Sequence, residues 1–82
     1  MDKDQITKKL EEVILDVLPD AEKIDMNASI TSVYGVNSVS LIRIIVAAEN
    51  KFDISFTDYE LALSSYDTFA DLAATVAGKI AE

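Results

Sequence analysis

The chain has 82 residues, seven Lys and Arg against fifteen Asp and Glu, a formal net charge of −8, and no Cys, His or Trp. These counts exclude disulfides and thiolate–imidazole metal sites. They also remove the usual general base and the strongest side-chain nucleophile, so an autonomous hydrolase or transferase is disfavoured.

The N-terminus, Met1-Asp2-Lys3-Asp4, is charged and leads into amphipathic sequence, not into a signal-peptide apolar block. Ile6, Leu10, Val13, Ile14, Val17 and Leu18 then recur at three- and four-residue steps, which predicts a first helix with one apolar face. Pro19 ends it, because the residue before a proline is pushed out of the α region. Residues 19–37 form a long connection without a period. Ile24, Met26, Ile30, Val33, Tyr34 and Val36 make it too apolar for a free linker, so several of them should anchor it over the core. A connection this long in so small a chain is often functional.

A second helix is predicted from about Ser38 to Lys51 or Phe52. Gly35 suits a tight turn upstream, and Asn37 or Ser38 can cap the helix by accepting a backbone N–H. The helix is apolar almost all round. Ile44, Ile45, Ala48 and Phe52 can face the core, which leaves Val39, Ile42 and Val46 as a separate ridge pointing partly outward. Two readings stand: a central, well-covered helix, or an exposed ridge for docking a partner.

Thr57-Asp58-Tyr59-Glu60 matches a capping box and predicts a short helix through Leu63, followed by a loop at Ser64–Asp67. Thr68-Phe69-Ala70-Asp71 repeats the capping logic. Phe69, Leu72, Ala73, Val76, Ala77 and Ile80 then give the apolar stripe of a last helix. The architecture is all-α, a four-helix bundle of three longer helices and one short one, in a single domain, 1–82. Ala47, Ala48, Ala73, Ala74 and Ala77 would leave room between helices, and Tyr34, Tyr59 and Tyr66 should fill core edges or cover the loop.

Half of the residues are hydrophobic, too many for a disordered acidic tail, and the acidity argues against nucleic acid as a partner. No segment approaches the roughly 18 apolar residues of a membrane span, so a cytoplasmic monomer is expected. No carboxylate run forms a calcium loop. Ser38 carries two readings. It can be an N-cap, or it can be a hydroxyl beside unpaired N–H groups and the positive end of the helix dipole, where an attached phosphate would be favoured. Without His or Cys, any chemistry on that oxygen must be done by another enzyme.

Tyr34-Gly35-Val36-Asn37-Ser38-Val39-Ser40-Leu41-Ile42 resembles the phosphopantetheine attachment site of acyl carrier proteins, and Glu49-Asn50-Lys51-Phe52-Asp53-Ile54 resembles the end of their second helix. The resemblance spans essentially the whole chain in helix order, long first loop and acidity. It implies that Ser38, flanked by Asn37 and Val39, receives a 4′-phosphopantetheine arm from coenzyme A through a magnesium-dependent phosphopantetheinyl transferase. The arm's thiol would carry acyl groups as thioesters. Val39, Ile42, Arg43 and Val46 would meet acyl-transfer, synthase or ligase enzymes of a fatty acid, polyketide or specialised lipid pathway. An aminoacyl or peptidyl carrier is the runner-up, although such carriers more often show a Gly-Gly pair where Tyr34-Gly35 stands. An unmodified helical adaptor is the rival from another class.

The chain departs from the family pattern twice. Asn37 stands where the family usually has Asp, keeping the capping ability and removing a charge that a transferase could read. Carriers of primary fatty acid synthesis have a second helix rich in acids that meet basic enzyme patches. Here it holds Ser40, Arg43, Asn50 and Lys51, with Glu49 its one acid before Phe52. A specialised carrier for a dedicated pathway is the reading that follows.

Overall fold

The computed structural model describes residues 2–81. Three α-helices, α1 (Lys3–Val17), α2 (Ser38–Phe52) and α3 (Phe69–Ala81), carry the fold, with two 3₁₀ turns, Asp58–Leu61 and Leu63–Ser65, between α2 and α3. Helix α1 packs against both α2 and α3. No described helix is long and apolar enough to cross a membrane.

The predicted α1 forms, with Ile6, Leu10, Val13 and Ile14 buried and Val17 and Leu18 half-buried. Its start is fixed by a capping box absent from the sequence reading: Asp2 Oδ1 accepts the Gln5 N–H at 2.9 Å, and Gln5 Oε1 accepts the Asp2 N–H at 3.1 Å. At the other end Leu18, before Pro19, has left the helical region at φ −113°, ψ 74°.

The long connection is held down as expected, through Ile24, Ile30 and Val36, which are buried, and Met26 and Tyr34, which are half-buried. Val33 is the exception, 60 % exposed. The loop is also stitched to the start of α3. Met26 O accepts the Ala70 N–H at 2.8 Å and Asp67 O accepts the Ile30 N–H at 3.0 Å, flanking a bridge between Ser29 and Thr68. The Tyr34 ring lies 5.4 Å from that of Phe69, tilted by 49°, and its hydroxyl accepts the Asp25 N–H at 2.6 Å. Backbone groups of an irregular segment thus find partners where no regular ladder could supply them.

Helix α2 buries Leu41, Ile44, Ile45, Ala48 and Phe52. Val39, Ile42 and Val46 stay 61 %, 43 % and 47 % exposed, which decides for the outward ridge over the fully covered helix. Asp53 closes α2 in the left-handed region at φ 55°, and Ile54 N–H returns to Glu49 O at 3.1 Å.

The short fourth helix forms as 3₁₀ turns, the second of which takes in Ser64 and Ser65, expected to be loop. Glu60 Oε1 does accept the Thr57 N–H, at 2.7 Å, so the start signal was read rightly. Beyond it the chain leaves the α-helical path, and the carbonyls of Tyr59 and Glu60 meet side-chain donors. Ser65 Oγ donates to Tyr59 O at 2.9 Å and Tyr66 Oη to Glu60 O at 2.7 Å, while Ala62 is extended at φ −81°, ψ 131°. Tyr59, expected at a core edge, is instead 88 % exposed; Tyr66 is buried and Tyr34 half-buried, as predicted.

Helix α3 opens on the predicted cap. Asp71 Oδ2 accepts the N–H groups of Asp67 (2.9 Å) and Thr68 (3.2 Å), and Thr68 Oγ1 accepts the Asp71 N–H at 3.3 Å. Phe69, Leu72 and Val76 are buried, while Ala73, Ala77 and Ile80 border a cavity of about 720 Å³ against Ile6 and Met26. Ala48 is fully buried and Ala47 half-buried, and neither borders that cavity.

Candidate functional site

The turn into α2 is built residue by residue. Gly35 adopts φ 63°, a conformation that costs other residues and lets the chain reverse here. Val36 is buried, and its N–H returns to Ile30 O at 3.0 Å, which ties the turn to the core. Asn37 is extended, and its Oδ1 accepts the Ser40 N–H at 2.9 Å while its carbonyl accepts the Leu41 N–H at 2.9 Å. Asn37 is therefore the N-cap and Ser38 the first helical residue. The reading of Ser38 as the cap is overturned, because the longer side chain one residue earlier already fills that place.

Ser38 is exposed, at the rim of an open cleft of about 600 Å³. Thr31 of the long connection forms one wall; Leu63, Ser64, Tyr66 and Asp67 of the second 3₁₀ turn and its exit form the other. In the first turn of a helix the N–H groups have no intrahelical carbonyl to meet, and the macrodipole presents its positive end. The Asn37 cap meets one of these groups, at Ser40, and those of Ser38 and Val39, in the same first turn, have no intrahelical carbonyl to meet. Amide donors, two neighbouring hydroxyls and a positive dipole end suit a phosphodiester on Ser38 Oγ. The residues fit such a group.

Tyr66, which also lines the cleft, is pushed above its ordinary value first by burial and then by the charge of Glu60. It stays a neutral phenol donating to the Glu60 carbonyl. The two other perturbed carboxyls serve the fold. Glu60 is held low by the Lys79 ammonium at 2.7 Å and by the Thr57 amide, and Asp71 by the amides of Asp67 and Thr68.

The residues singled out from sequence come together on the N-terminal half of α2: Asn37 under the turn, Ser38 at the cleft, and Val39, Ile42, Arg43 and Val46 on the exposed face. Thr31 and Ser64 were missed as wall residues. Neither carries a local signal, Thr31 lying in the long connection and Ser64 in the second 3₁₀ turn, and the stitching of the connection to the start of α3 brings those segments together.

A family model described as "Phosphopantetheine attachment site" matches residues 8–76. The chain belongs to the acyl carrier protein family. It is similar to the acyl carrier protein of Petrotoga mobilis (strain DSM 10674 / SJ95), with 32 % identity over 62 residues, 74 % of this chain and 73 % of that protein. Membership makes the protein a carrier and not a catalyst. Its prosthetic group is 4′-phosphopantetheine, which when bound supplies a thiol for holding cargo as a thioester. The carrier's counterparts are acyl-handling enzymes.

Proposed function

We propose that Ser38 is the residue that receives the phosphopantetheine arm, and that the carrier, acting as one domain, presents acyl intermediates to the enzymes of a fatty acid, polyketide or specialised lipid pathway. The observation that carries this reading is the division of labour at the head of α2. Asn37 meets the capping need, so the adjacent Ser38 hydroxyl is exposed and uncommitted at the positive helix end. A transferase would supply both the base for the Ser38 proton and the coenzyme A donor.

Docking runs through Val39, Ile42, Arg43 and Val46. The three aliphatic side chains are exposed on the helix that Ser38 begins, so an enzyme that buries them also faces the attachment point. The ridge is short, which suits partners that must release the carrier after each transfer. Asn37 in place of the family's Asp, together with a docking helix short of acids, supports a dedicated pathway over primary fatty acid synthesis.

Ser38→Ala tests the assignment. It removes the nucleophile and leaves the Asn37 cap, so the variant should keep its helical circular-dichroism signal while losing thioester formation. A variant that still accepts an acyl group as a thioester would move the attachment point elsewhere.

A further inference from the structure

The exposed face of α2 has a charge opposite to that of the chain as a whole. Along Val39, Ile42, Arg43, Val46 and Asn50, all exposed, the one ionised group is the Arg43 guanidinium. The helix's other charges point away from this face or are spent. Glu49 is half-buried, and its Oε2 accepts the Phe56 N–H at 2.8 Å, so its carboxylate is turned to the segment after α2. Lys51 is drawn to Glu12 of α1, 3.3 Å away. Among the described residues the ion pairs are Lys51–Glu12 and Lys79–Glu60, and Arg43 is in neither. A chain of net charge −8 therefore shows a cationic, apolar docking face.

We infer that this face selects partners whose contact surface combines an apolar groove, for Val39, Ile42 and Val46, with a carboxylate placed to meet Arg43. The inference rests on the docking reading above and gives the partner's chemistry. A guanidinium pairs with a carboxylate through two parallel N–H···O bonds, which sets orientation as well as attraction. A basic patch against the same face would bring two cations together as water is expelled, a like-charge contact that disfavours the wrong partner. Long-range forces act differently. The overall negative charge repels an acidic partner at a distance, and salt screens that repulsion over about 8–10 Å. Association with the right partner should therefore gain or hold steady as salt rises, where a carrier docking through acids on a basic patch loses affinity.

The test uses the unmodified, ¹⁵N-labelled chain, so that its outcome is independent of arm attachment at Ser38. The probe is one fatty acid ketosynthase in two versions: its basic docking patch intact, and the same Lys and Arg residues replaced by Glu. In NMR titrations the amides from Val39 to Val46 should shift with the Glu version at roughly tenfold lower enzyme concentration. Arg43→Glu should reverse that order and Arg43→Lys should keep it. Preference for the intact basic patch, equal affinity for both versions, binding to neither, or an order unmoved by Arg43→Glu would each overturn the inference. Failure of attachment at Ser38, read separately by mass, would overturn the carrier assignment and leave this result standing.

Discussion

Asn37 Oδ1 accepts the Ser40 N–H at 2.9 Å, and this contact lets Ser38 sit at the head of α2 without capping it. Replacing Asn37 by Ala should cost about 1 kcal/mol, the usual loss for an N-cap. In a chain of this size that lowers the melting temperature by roughly 4–8 °C. Asn37→Asp keeps the acceptor and adds a charge at the positive helix end, so it should melt at or above wild type. Thermal denaturation by circular dichroism at neutral pH checks both. An Ala variant as stable as wild type would remove Asn37 from the cap.

Gly35 holds φ 63°, and a Cβ added there would meet no neighbouring atom within 4 Å. Any penalty for a side chain is therefore backbone strain and not collision. Gly35→Ala should destabilise by about 1 kcal/mol, and Gly35→Val by more, since β-branched residues tolerate positive φ poorly. Gly35→Asn should fall between glycine and alanine, because Asn enters this region more readily. Urea unfolding midpoints order the four chains; Asn and Ala variants of equal stability would contradict the strain account.

The Tyr34 hydroxyl accepts the Asp25 N–H and closes the long connection on itself. Tyr34→Phe preserves the ring against Phe69 and removes only this acceptor. The expected cost is about 0.5–1.5 kcal/mol. Hydrogen exchange at the Asp25 amide should quicken while exchange in α1 changes little. Uniform quickening across the chain would mean that the loop and core open together.

Acid sensitivity follows from Asp71 and Glu60. Both are held below their ordinary values, Asp71 by the amides of Asp67 and Thr68, Glu60 by Lys79 and then Thr57. Each binds its proton less readily folded than unfolded. Its contribution is therefore complete above the ordinary carboxylate range and is lost as pH falls through the lowered, folded value. The melting temperature should drop between about pH 5 and pH 2. Asp71→Ala should lower it at neutral pH and flatten that drop, converging on wild type in acid. A parallel curve for the variant would exclude Asp71 as a source of the acid loss.

Much of this was legible in the sequence because it rests on local signals. The apolar steps of α1 and α3, the stop at Pro19, the cap at Thr68 and the turn at Gly35 each involve residues within one or two helical turns of one another. The exposed ridge could be listed but not decided, since composition cannot say which side of α2 the rest of the chain covers. Other features needed the fold to settle them. Glu60 and Thr57 do form the reciprocal pair that predicts a helix, yet beyond it the chain leaves the α-helical path, and Ser65 and Tyr66 donate to the carbonyls of Tyr59 and Glu60. Asn37 and Ser38 are both candidate caps by residue type, and the bond from the Ser40 N–H to Asn37 Oδ1 decides between them. The cleft walls at Thr31 and Ser64 depend on contacts between distant segments, for which no local pattern exists.

The most direct test of the central claim is the intact mass of the chain after incubation with coenzyme A, magnesium and a broad-specificity phosphopantetheinyl transferase. The wild-type chain should gain one phosphopantetheinyl group and Ser38→Ala none. Asn37→Asp should be modified at least as fast, since it adds the charge that the family usually has there. A folded wild-type chain and a folded Asn37→Asp chain that both stay unmodified, or a Ser38→Ala chain that still gains the group, would contradict that claim.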